Sequence, residues 1–104
     1  MAFGIGTNTE HTAETPPEGL YQPVAVKCWY TASGDSIPLT VKMKTTEDDI
    51  IQIDHLQMLT RDKHWYAGIV TYEYKCLAHY KGKECLLRLM FWPEECKWKI
   101  IEIY

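Results

Sequence analysis

From Ser36 to Thr45 the sequence reads SIPLTVKMKT, with Ile37, Leu39, Val41 and Met43 set against Thr40, Lys42 and Lys44. A period of two puts all four apolar side chains on one face of an extended chain. A helix would scatter them around its circumference, so this stretch must be a half-buried strand. Pro38 cannot donate a ladder hydrogen bond and belongs near the strand start or on an edge.

Other runs share the pattern. In residues 23–31, Val24, Val26, Cys28 and Tyr30 alternate with Lys27 and Trp29. Residues 66–80 place Tyr72, Tyr74, Cys76, Ala78 and Tyr80 on one face and Glu73, Lys75, Leu77 and His79 on the other. Residues 84–92 are apolar on both faces except at Arg88, as a strand covered on both sides would be. Cys96, Trp98 and Ile100 end the series. Residues 50–54 read as a further strand, and 54–61 fit either a strand extension or a helical turn. The punctuation is turn chemistry: Ala32-Ser33-Gly34-Asp35, Thr46-Glu47-Asp48-Asp49, Lys81-Gly82-Lys83 and Pro93-Glu94-Glu95. Arg61 to His64 reads as a charged connection, and Gly68 as a bulge or a close approach of another backbone.

Five or six short strands without a long helical stripe predict an all-β domain over residues 21–104. The expected form is a small antiparallel barrel, SH3-like, or a strongly curved sheet. Closure would remove exposed strand edges. Residues 1–20, rich in Thr, Glu, Pro and Gly, bury too little apolar surface to offset their ordering entropy and are expected to form a flexible arm.

Charge narrows the partners. The net charge is −3, and the first twenty residues hold Glu10, Glu14 and Glu18 with no Lys or Arg. From Tyr21 onward eleven acidic residues balance eleven basic ones. A neutral body argues against a strong phosphate-backbone binder. The start MAFGIGTNTEHT has no basic segment followed by an apolar one, and no run approaches the ~18 apolar residues of a membrane span. The four cysteines, Cys28, Cys76, Cys85 and Cys96, then read as free thiols of a cytoplasmic protein.

The body also resembles a group of small uncharacterised proteins of Gram-positive anaerobic bacteria. The resemblance rests on Cys28-Trp29-Tyr30, Gly34, Ile37-Pro38, Glu47-Asp48-Asp49, Ile51-x-Ile53-Asp54, Tyr74-x-Cys76, Gly82-x-Glu84, Leu86-Leu87 and Trp98. It covers roughly residues 26–100 and implies a compact β-barrel-like domain without an assigned activity. The chain departs from the pattern at residues 61–70, where a glycine-rich stretch and an arginine are expected.

Candidate chemistry is sparse. Ser33 and Ser36, the only serines, flank Gly34-Asp35, and this spacing is turn chemistry rather than a Gly-x-Ser-x-Gly nucleophile elbow. No Cys-x-x-Cys pair preorganises a metal, and Cys76 and His79 would point to opposite faces of a strand. His55 and His64 beside Asp54 and Asp62 fit charged loops better than general-base dyads. No catalytic, metal or cofactor site is expected, and the protein is read as non-enzymatic. The best lead is a face of Trp65, Tyr66, Tyr72, Tyr74 and Lys75, which would bind another protein. The alternatives are a single-stranded nucleic-acid module stacking bases on the same rings, and a small enzyme whose site has no sequence signature.

Overall fold

The computed structural model describes residues 15–104. Seven strands form: β1 (Gln22–Tyr30), β2 (Ser36–Lys44), β3 (Ile50–Ile53), β4 (Gln57–Tyr66), β5 (Ile69–Tyr80), β6 (Lys83–Trp92) and β7 (Lys97–Ile103). No helix occurs among the described residues. All neighbours are antiparallel, in the single sheet order β3-β2-β1-β7-β6-β5-β4. Two meanders therefore meet where β1 joins β7, and the sequence neighbours β3 and β4 are the two edges. The expected five or six strands become seven because Arg61 to His64, read as a connection, is part of β4.

The short link between β3 and β4 dictates the shape. A flat seven-stranded sheet is about 29 Å wide at the usual strand spacing. Residues 54–56 carry the chain from one edge to the other and can span only about 14 Å. The sheet must curl until its edges approach. Three side-to-side ties mark the approach: the Leu56 amide donates to the Leu39 carbonyl at 3.0 Å, Ser36 hydrogen-bonds Tyr74, and Arg61 pairs with Asp35 at 3.2 Å. No ladder links β3 to β4, so the sheet stays open. The expected barrel, SH3-like or otherwise, is not formed.

The core lies on the concave face. Tyr74, Cys76 and Ala78 of β5 pack with Leu87, Leu89 and Phe91 of β6, Trp98 and Ile100 of β7, and Val41, Ile53 and Leu56. The Phe91 and Trp98 rings stack at 4.5 Å as a cross-strand pair, and Tyr74 lies 5.2 Å from Trp98. Such pairs contribute about 0.5–1.5 kcal/mol beyond the area they bury. In β2 the expected inward set changes phase. Leu39 is an extra residue opposite the Lys27–Cys28 step, so Ser36 and Pro38 face inward before the bulge and Val41 after it. Ile37 and Leu39 are only half-buried.

The other face is covered in part. The Leu20 amide donates to the Ile101 carbonyl, and Gly19 lies so close to Ile101 that an added Cβ would sit 2.6 Å from that carbonyl oxygen. Tyr21 packs on Trp92. On this face Arg88 is held between two carboxylates, Glu73 at 2.6 Å and Glu102 at 2.7 Å. The arm expected over residues 1–20 falls, up to residue 14, outside the described residues.

Candidate functional site

The turn chemistry explains where the sheet is tight and where it opens. Ala67-Gly68 and Lys81-Gly82 have φ of 53° and 80°, and 51° and 76°. Both are two-residue loops with positive φ at each central position, which match the strand twist and keep β4–β5 and β5–β6 in close register. Gly68 thus serves a hairpin rather than a bulge. The loops Thr31–Asp35 and Thr45–Asp49 share one construction. In each, the first Thr amide donates to the fifth residue's carbonyl, and the Thr Oγ1 accepts from the fifth residue's amide. Gly34 and Asp48 take the left-handed fourth position.

The seam between β1 and β7 has no such clamp. The two strands pair only over Gln22–Val24, opposite Trp98–Ile100, while β1 continues along β2 to Tyr30. Beyond Val24, β1 runs past the start of β7 at Lys97, and a cleft of about 860 Å³ lies between it and the β6–β7 hairpin end. One wall is the inward-facing row Val24, Val26, Cys28 and Tyr30; the other is Phe91, Trp98, the turn residues Glu95 and Cys96, and Lys97 at the start of β7. Inward residues of β5 to β7 such as Leu87, Leu89 and Ile100 are fully buried, whereas Val24, Val26 and Cys28 are only half-covered. The cleft is where the core meets solvent.

Its polar groups sit at the mouth. Tyr30 is 60% exposed, and its side-chain hydrogen bond with Cys28 raises its pKa above the ordinary phenol value. Its hydroxyl offers a donor at the mouth. Cys96 is exposed at the turn with φ 53°, and its thiol points to the Pro93 carbonyl. Lys97 pairs with Glu95 at 3.6 Å, and Lys99 lies over the Trp92 ring at 5.3 Å. Among the side chains that line the cleft, two ammonium groups stand against one carboxylate.

The residues singled out from the sequence do not form one surface. Tyr74 is fully buried, and its hydroxyl is shared by Ser36 and by Arg61 Nε at 3.2 Å. Tyr72 is half-buried with the Arg61 guanidinium 4.2 Å above its ring. Lys75 is exposed on the opposite face, paired across strands with Arg88 and Thr60. Trp65, beside Lys63 at 5.2 Å, shares the Tyr72 face, while Tyr66 stacks on His64 on the other. Of the serines, Ser33 bonds only to Thr31 and Asp35 within its loop, and Ser36 is buried against Tyr74. His64 faces Glu73 at 3.7 Å. Among the described residues no three His, Cys, Asp or Glu side chains converge as a metal site, and no helix is long and apolar enough to cross a membrane.

Sequence reasoning missed the cleft because it depends on where β1 leaves β7. The half-apolar row Val24-Val26-Cys28-Tyr30 was its only trace, and that row reads equally as ordinary core. The chain matches no protein-family model, no curated protein and no solved structure.

Proposed function

We propose that the protein is a non-enzymatic β domain that binds another protein, and that the cleft between β1 and the β6–β7 hairpin is the contact. The supporting observation is the gap at this seam: half-covered Val24, Val26 and Cys28 facing Phe91 and Trp98 across open space, next to the fully buried core of β5 to β7. Apolar surface that is concave and rimmed by a few polar groups is what a partner's side chains can remove from water, at about 25 cal/mol per Å². The four free cysteines suit a reducing compartment, which supports a cytoplasmic location.

The test is partner capture from the host, quantified for wild type, Val26→Arg and Lys75→Glu. The partners held by wild type are retained by Lys75→Glu and lost by Val26→Arg. Retention by Val26→Arg, in a variant with native near-ultraviolet circular dichroism, would move the contact elsewhere.

A further inference from the structure

A strand has two hydrogen-bonding edges, and β1 uses only one of them over most of its length. From Ala25 to Tyr30 it is bonded to β2, but its pairing with β7 ends at Val24. In an antiparallel ladder alternate residues direct both N–H and C=O to the same side, so about half of these six residues aim their backbone groups at the cleft. Those groups have no ladder partner in β7. A sheet edge of this kind, about 20 Å long at the usual rise per residue, is a template for another chain.

We propose that the partner enters this cleft as an extended segment that adds a strand to β1, with apolar side chains alternating with acidic ones. The inference rests on the cleft being the protein-binding site and adds the mode and the chemistry of the segment. The cleft is closed at the Val24–Trp98 pair and runs along β1, past the β6–β7 turn, to Tyr30. A segment bonded to β1 sends every second side chain inward, onto Val26, Phe91 and Trp98, and these must be apolar. The intervening side chains point out past Lys97 and Lys99, which outnumber Glu95 at the mouth. A carboxylate there gains an ammonium partner, and a lysine would be repelled. The exposed backbone edge favours a peptide over a lipid chain, which could fill the apolar floor but satisfies no amide.

The experiment starts from a phage-displayed library of short linear peptides selected on the full chain. The selected peptides are expected to alternate apolar residues with Glu or Asp. N-methylation of the alternate amides in one register should weaken them about tenfold or more, while methylation of the other register does little. Binding should slow hydrogen exchange of amides within Ala25–Tyr30. Lys97→Glu, an exposed substitution that leaves the fold intact, should weaken acidic peptides and spare neutral ones; Val26→Arg should abolish binding.

Peptides that need Val26 but tolerate both methylations and leave β1 exchange unchanged would overturn strand addition while leaving the cleft as the binding site. A library that yields no binder, or binders indifferent to both variants, would overturn strand addition and the cleft together. Decanoate binding that is lost in Val26→Arg, with no peptide selected, would make the cleft a site for an apolar acid instead.

Discussion

Removing a single oxygen, in Tyr74→Phe, is expected to cost the fold about 1–3 kcal/mol, because the Ser36 hydroxyl is left buried without its partner. The same phenol accepts from Arg61, which itself reaches Asp35, so Tyr74 joins the β1–β2 loop to β4 across the open side of the sheet. Urea unfolding of Tyr74→Phe, Ser36→Ala and the double variant should show the pair losing less than the sum of the single losses. Ser33→Ala should lie close to wild type, since its bonds are exposed and local. The sequence rule that Gly-Asp flanked by Ser forms a turn located this loop correctly. It also assigned Ser36 to the turn, whereas Ser36 is buried at the start of β2 and its role comes from a tyrosine thirty-eight residues away. Cys76 carries a pH signature: burial pushes its thiol up to about 12 from an ordinary 9.0. A thiol that stays protonated longer in the native state stabilises it below pH 9, and that contribution is lost as pH climbs from about 9 to about 12. Stability measured by urea titration should fall over this interval, and less steeply in Cys76→Ala.

At the scale of elements, the legible parts were those whose period and turns obey local rules. The faces of β5 follow the alternation, with Tyr74, Cys76 and Ala78 in the core. β4 was not legible, because Arg61-Asp62-Lys63-His64 carries the composition of a loop. On an edge strand these charges reach solvent or distant partners: Arg61 lies over Tyr72 and reaches Asp35, and Lys63 lies over Trp65. The inward phase of β2 was misread for another physical reason, since one bulged residue moves every side chain before it to the other face. The β4–β5 turn offers a direct check on hairpin chemistry. Ala67 holds φ 53° with a Cβ that opposes it. Ala67→Asn should raise stability by about 0.5–1 kcal/mol, because Asn-Gly fits a turn with two positive φ angles. A melting temperature at or below wild type would contradict that assignment.

The whole molecule is a sheet that curls because its edges are joined by three residues, and that opens at one seam because β1 runs on past the start of β7. Neither property is local, so neither could be read from periodicity; each depends on which strands become neighbours. The aromatic residues divide accordingly: Phe91 and Trp98 build the core that the cleft exposes, while Trp65, Tyr66, Tyr72, Tyr74 and Lys75 are spread over two faces and the interior. Binding at the seam can be read by photo-crosslinking in cells, with benzoylphenylalanine placed at Ala25, at Lys97 and, for comparison, at Lys75; all three positions are exposed. Adducts to the same partner from Ala25 and Lys97, with none from Lys75, are the predicted result. Adducts from Lys75 alone would contradict it.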